Sequence, residues 1–255
     1  MPDPLSIKYL INDISRGRIR IPSFQRGFVW EQEMIASFID SIYKGFPFGS
    51  ILLWRTENPL QTEKNLGPYK LPEKEPKYPI NYVLDGQQRI TSIFGIFQND
   101  LPPEPNENTA WADLFFDINC LENPPFVYQD PNDYDPNKYF PLKSVFDLRW
   151  TKLIQKVDDR AAEKIEKLVD RFKDAKIPIE LFEIEERASV ATVFERINRQ
   201  KVDLTTFDLL TVWNWSEEFD LKEKFKELSE EIEDYGLGKV NNDLLLSCCS
   251  RSEEH

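Results

Sequence analysis

The residues of this chain best suited to handling a charged ligand lie together in Tyr82-Val83-Leu84-Asp85-Gly86-Gln87-Gln88-Arg89-Ile90-Thr91. Three apolar residues suited to a buried strand run into Asp-Gly, a turn signal. Ile90, Ile93, Phe94 and Phe97 then recur at helical spacing, so the stretch predicts strand, tight turn, helix. The first turn of such a helix presents free backbone N–H groups and the positive end of the helix dipole, which favours an anion such as a phosphate. Gly86 would let the backbone approach closely, and Arg89 would pair with phosphate oxygens in a forked geometry. Asp85 would hold a divalent cation or orient a water. Gln87 and Gln88 would position a water or read a base edge. The same residues also fit a plainer pattern, with Asp85 as N-cap, Gly86 as turn residue and the rest a solvated polar turn. Residue types alone leave both open.

The flanking elements set what can reach that turn. Ile7 to Gly17 predicts a short helix burying Ile7, Leu10, Ile11 and Ile14. Ile19 and Ile21 alternate with arginines as in a half-buried strand that ends at Pro22. With Arg16, Arg18, Arg20 and Arg26 this is the most basic part of the chain; Arg16 and Arg18 read as charges protecting a sheet edge. Glu31 to Lys44 predicts a helix with Met34, Ile35, Phe38, Ile39 and Ile42 as its core stripe and Trp30 packing at its start. Lys44-Gly45-Phe46-Pro47-Phe48-Gly49-Ser50 reads as a structural turn before a buried strand, Ile51 to Trp54, with a border of the ligand pocket as the lesser alternative. It is not a P-loop, because no lysine follows Gly49. Val190 to Asn198 predicts a helix burying Val190, Val193, Phe194 and Ile197. Read alone, its Glu195, Arg196 and Asn198 form a solvated face.

Three of these stretches carry a resemblance. Asp-Gly-Gln-Gln-Arg followed by an apolar helix resembles the signature of the N-terminal domain family of GmrSD-type, modification-dependent restriction endonucleases. Ile-Pro-Ser-Phe-Gln-Arg ahead of Val29-Trp30 resembles the family's first motif. Phe194-Glu195-Arg196-Ile197-Asn198, then Val202-Asp203-Leu204-Thr205, resembles its third, more loosely. The likeness runs over roughly residues 5 to 215, and the family is similar in fold to ParB/sulfiredoxin nucleotide-binding domains. It implies an α+β fold, a ParB/sulfiredoxin-like small mixed sheet with packed helices over residues 1–205, followed by a helical portion over 206–255. It further implies binding and Mg²⁺-dependent hydrolysis of a nucleoside triphosphate, regulating a nuclease in a phage-defence restriction system. The residues carried over are Asp85, Gln87, Gln88 and Arg89 as catalytic, with Asp85 holding Mg²⁺. Gln25, Arg26, Gly86, Thr91, Arg196 and Asn198 are carried over as nucleotide-binding. The expected partners are nucleotide, DNA (modified DNA included), a nuclease domain or subunit, and a second copy of the chain. The alternative is a ParB-like DNA-binding or partner-binding module without hydrolysis.

Composition narrows these options. A formal net charge of −13 does not suit a protein that coats nucleic acid non-specifically, though it leaves room for a local basic groove. With 40% hydrophobic and 13% aromatic residues the chain can build a core. No apolar run approaches the roughly 18 residues of a membrane span, and the first residues lack the pattern of a signal peptide. Three cysteines, Cys120, Cys248 and Cys249, fit a reducing cytoplasm. The only histidine is His255, so a Ser-His-Asp triad, a histidine-rich zinc site or a His-dependent nuclease is not expected here. Sulfiredoxin chemistry needs a cysteine where Gln87 and Gln88 stand.

The remaining stretches read as scaffolding. Residues 57–79 and 99–108 predict surface loops, and 111–118 with 126–128 a hairpin. The acidic loop 130–136 lacks the glycine and glutamate of a calcium-binding EF-hand. Residues 156–173 predict an exposed charged helix, 179–184 a strand, 207–219 an apolar helix and 222–235 an amphipathic one. The apolar segment 242–249 looks like the start of a further helix, so the chain is expected to be a piece of a longer protein or a subunit that recruits a nuclease.

Overall fold

In the computed structural model, residues 3–23, 25, 27–57, 60, 62–72, 78–105, 107–120, 124–148, 150–184, 186–199, 221–234 and 244 are described. The chain opens with β1 (Leu5–Ser6) and α1 (Ile7–Ser15), where the Ser6 hydroxyl caps α1 by accepting the Tyr9 N–H at 3.3 Å. Ile7, Leu10, Ile11 and Ile14 are its buried stripe, and the chain leaves it through Gly17 at φ 71°. Next come β2 (Ile19–Arg20), α2 (Gln32–Lys44) and β3 (Ile51–Thr56). In α2 the stripe is Ile35, Ala36, Phe38, Ile39 and Ile42. Met34, expected to be in it, is exposed on the first turn.

The stretch expected as a surface loop between 57 and 79 contains a small hairpin, β4 (Asn65–Leu66) and β5 (Tyr69–Lys70). Leu66 and Tyr69 are its apolar anchors in the core, and the polar residues around them masked that signal. Then come β6 (Ile80–Asp85) and α3 (Gln87–Phe97), the expected strand, turn and helix. The hairpin expected at 111–128 is present as β7 (Leu114–Asp117) and β8 (Phe126–Tyr128). A third strand, β9 (Tyr139–Pro141), pairs on the other edge of β7. In the acidic loop before β9, the carboxylates of Asp130 and Asp135 accept the N–H groups of Asn132 and Asn137.

The last described elements are α4 (Trp150–Ile154), α5 (Asp159–Asp174), β10 (Lys176–Ile177), β11 (Ile179–Phe182), α6 (Arg187–Arg199) and α7 (Leu221–Asp234). Helix α5 corrects the expectation of an exposed helix. Its charges line one face, but Ala161, Ile165, Leu168, Val169 and Phe172 are buried on the other. The apolar helix expected at 207–219 and most of the expected helical portion 206–255 lie outside the described residues.

The central sheet has the order β11-β3-β6-β2. β11 is parallel to β3, β3 antiparallel to β6, and β2 parallel to β6 at an edge. Ile51, Leu53 and Val83 join the main core with α1, α2, α3 and α5. Trp54, Ile80, Tyr82 and Leu84 form a second cluster with Val190, Ala191 and Phe194 of α6. The fold is therefore mixed α+β, with helices on both faces of a small sheet. Helix α3 is buried nearly all round, as expected of a helix apolar on several faces. Its Gly95 lets the Trp111 ring lie where a Cβ would stand, 2.3 Å from the nearest ring carbon. Among the described residues no helix is long and apolar enough to cross a membrane.

Candidate functional site

The site forms where β6 hands over to α3. Pairing in β6 slips at this end: Val83 faces Leu53, but Asp85 faces Leu52, leaving one extra residue on β6. Gly86 follows at φ 94°, ψ 14° as the N-cap of α3. A Cβ there would stand 3.2 Å from the Ile51 Cα, so both dihedral and space demand glycine. No side chain caps α3, and its first backbone hydrogen bond runs from the Ile90 N–H to the Gly86 carbonyl. The alternative of Asp85 as N-cap is thereby corrected: the carboxylate turns instead to Arg89.

Arg89 Nη2 donates to Asp85 Oδ2 at 3.1 Å and to the Ser50 carbonyl at 2.7 Å. The two side chains are 15% and 23% exposed, so the pair is partly desolvated but open on one side. The Arg89 guanidinium packs against Gly49, with Nη1 3.1 Å from where a Cβ would be; Gly49 itself adopts φ 86°. Its Nε faces Gly86 and is buried without a hydrogen-bond partner. Two left-handed glycines thus form a slot for one arginine, and Nη1 makes no hydrogen bond among the described residues. The turn can offer an anion uncapped backbone N–H groups and a fixed guanidinium.

The other expected residues divide into three sets. Gln25 and Gln88 are buried and bind backbone. The Gln25 amide donates to the carbonyls of Val83 and Leu84, at 3.0 and 3.1 Å. Gln88 Oε1 accepts the N–H groups of Val29 and Trp30, and its amide donates to the Gly27 carbonyl. Together they hold Gln25 against the end of β6 and residues 27–30 against the first turn of α3. Thr91 points away from the turn, toward Gly67 and the core; its hydroxyl is buried without a partner. Gln87 sits on the first turn, with Oε1 buried and unpartnered. Arg196 is exposed on α6. Asn198 is in the last turn of that helix, and its side chain, like Arg26 as a whole, lies outside the described residues.

Neither Ser50 nor Glu180 was singled out as a site residue. The Ser50 hydroxyl donates to a Glu180 carboxylate oxygen. Both Glu180 and Asp85 pair across strands with Leu52, one from each side of β3. The turn 45–50 read as structural, with a border of the pocket as the lesser alternative, and Glu180 looked like any outward residue of an alternating strand. The Gly-Ser pair immediately before a buried strand was the available signal; Glu180 gave none, because its role depends on the order of strands.

Residues 7–214 match the family described as the GmrSD restriction endonuclease, N-terminal domain. The chain is also similar to an uncharacterized protein, MJ0686, of Methanocaldococcus jannaschii, at 24% identity over 91% of this chain and 47% of that protein. It thus spans about half the length of the curated relative it matches. The family match covers most of the chain, so the chain belongs to the GmrSD N-terminal domain family.

Proposed function

We propose that this GmrSD-family chain binds a nucleoside triphosphate at the β6–α3 turn, hydrolyses it, and so regulates a nuclease in a modification-dependent restriction system. The observation that carries the reading is Arg89, held over Gly49 with Nη1 making no hydrogen bond among the described residues, beside a helix N-terminus that no side chain caps. Such a group stabilises phosphate charge without reorganising as that charge grows, which phosphoryl transfer requires. Gln87 is the first-turn amide left to orient a water.

Mg²⁺ fits the donor set. Mg²⁺ is commonly held by one or two carboxylates, the rest of its shell being water and phosphate oxygens. Asp85 supplies a carboxylate at the turn, and no cluster of three or more metal-binding side chains is present or required among the described residues. When bound, Mg²⁺ would neutralise phosphate charge. Asp85 also holds Arg89, so it serves orientation whether or not a metal is present. With the Asp85 and Glu180 carboxylates near Arg89, a cation beside a bound polyphosphate would be stabilising.

One observation favours a second reading, binding without hydrolysis. Gln25, expected to bind nucleotide, and Gln88, expected to position a water or read a base edge, have their amides committed to backbone. DNA and a nuclease domain are partners that family membership suggests.

Phosphate release and thermal unfolding of the purified chain with each nucleoside triphosphate, with and without Mg²⁺, test both readings. A ligand at 100 times its dissociation constant adds about 2.7 kcal/mol of stability. A melting shift with turnover supports the hydrolase, a shift without turnover supports nucleotide binding without hydrolysis, and the absence of a shift supports a DNA-binding or partner-binding module. No shift with any nucleotide removes the site.

A further inference from the structure

We infer that Glu180 is a positioning residue for Arg89, acting through Ser50. The inference rests on the reading of the turn as a triphosphate site and adds a residue on which the cation of that site depends.

The peptide unit between Ser50 and Ile51 is held from both ends. Its carbonyl accepts Arg89 Nη2 at 2.7 Å, and its N–H, on Ile51, donates to the Pro178 carbonyl at 2.9 Å. Two residues beyond Pro178, the Glu180 carboxylate accepts the Ser50 hydroxyl. The segment 178–180 therefore grips this peptide twice, by backbone and by side chain. Gly49, the residue before Ser50, has the left-handed φ of 86° and no Cβ. On its other side Phe48 rests edge-on against Phe38, with centroids 5.6 Å apart. Rotation of the Ser50 carbonyl would remove the shorter of the two hydrogen bonds that aim Arg89. It would also shift the Gly49 surface on which Nη1 lies.

The role needs an acceptor at Glu180, not a charge. A carboxamide oxygen accepts the same hydroxyl, so Glu180→Gln should behave like the wild type, whereas Ser50→Ala and Glu180→Ala should each weaken binding. The expected loss is about tenfold, the scale of one hydrogen bond. Because the two residues act in one chain, the double variant should be no weaker than either single variant.

The test measures, by titration calorimetry, binding of ATP, GTP and inorganic tripolyphosphate to the wild type and the four variants, each confirmed folded by circular dichroism. Ser50→Ala is measured again in an Arg89→Ala background, where it should change the residual affinity no further. That readout separates aiming of Arg89 from a general loss of structure. Additive losses, a Glu180→Gln variant as weak as Glu180→Ala, or a further loss in the Arg89→Ala background would each overturn the inference. A wild type that binds all three ligands while Ser50→Ala binds them equally well defeats this inference alone. A wild type that binds none defeats the functional reading beneath it as well.

Discussion

Asp85 and Arg89 form an ion pair across the turn from strand to helix, with 3.1 Å between Oδ2 and Nη2. Arg89 is one of the first helical residues of α3, and Asp85 is the last residue of β6. The carboxylate thus determines where the guanidinium points rather than capping the helix. A lone arginine at a helix start sweeps a wide arc. This one is tied at Asp85 and Ser50 and laid against Gly49.

Asp85 variants separate its possible roles. If Asp85 carries Mg²⁺, Asp85→Asn should abolish Mg²⁺-dependent turnover while metal-free nucleotide binding persists or tightens, since an anion beside the phosphates is removed. If it only aims Arg89, the asparagine oxygen should preserve much of the function and Asp85→Ala should lose it. Rates and affinities with and without Mg²⁺ decide between them. Normal hydrolysis by a folded Asp85→Ala protein would remove Asp85 from the chemistry.

Gly86→Ala should damage both fold and site. The alanine would be forced to φ 94° with its Cβ 3.2 Å from the Ile51 Cα. Strain of this kind costs about 1–3 kcal/mol. The melting temperature should fall, and anion binding should be lost as Arg89 and the helix start shift. A Gly86→Ala protein as stable as the wild type would mean that the turn has another accessible conformation.

Gln88→Leu should release segment 27–30 without touching the anion site directly. Three hydrogen bonds would be lost, from the Gln88 side chain to Gly27, Val29 and Trp30. Backbone groups left unsatisfied cost about 1–3 kcal/mol where they stay buried. Hydrogen exchange at Val29 and Trp30 should accelerate, while tripolyphosphate binding should change little. Loss of turnover with unchanged stability would instead assign Gln88 to the reaction.

The fold was legible where the pattern was strong. The helical stripe of α1, the apolar run of β6 and the Asp-Gly break before α3 lie where periodicity placed them. Helix α5 was misjudged because charge dominates its composition, while its buried face is narrow and Ala-containing. Met34 sits in the first turn of α2, before the helix is covered, so spacing alone overstated its burial. At the site, Asp85, Gly86 and Arg89 could be picked out because a strand, a turn and a helix are local. Gln25 and Gln88 could be found, but not their partners, since both bind backbone brought alongside only when β2 pairs with β6. Ser50 and Glu180 meet across 130 residues of chain, beyond any local pattern.

Gly95→Ala should lower stability even though alanine favours helices by about 1 kcal/mol over glycine. Its Cβ would stand 2.3 Å from the Trp111 ring, which packs against Phe28 and cannot simply swing away. Overpacking of this kind costs about 1–3 kcal/mol, so the net change in chemical denaturation should be destabilising. A stabilised Gly95→Ala protein would show that Trp111 has room to move.

Arg89 is the residue on which the proposed site depends, and calorimetric titration of inorganic tripolyphosphate and nucleoside triphosphates into the wild type and Arg89→Ala tests it most directly. Loss of a partly buried charge partner is worth about 2–5 kcal/mol, so the variant should bind at least about 30-fold more weakly while remaining folded. Equal affinity in the two proteins, or no binding by the wild type, would contradict the assignment and leave the turn as scaffold.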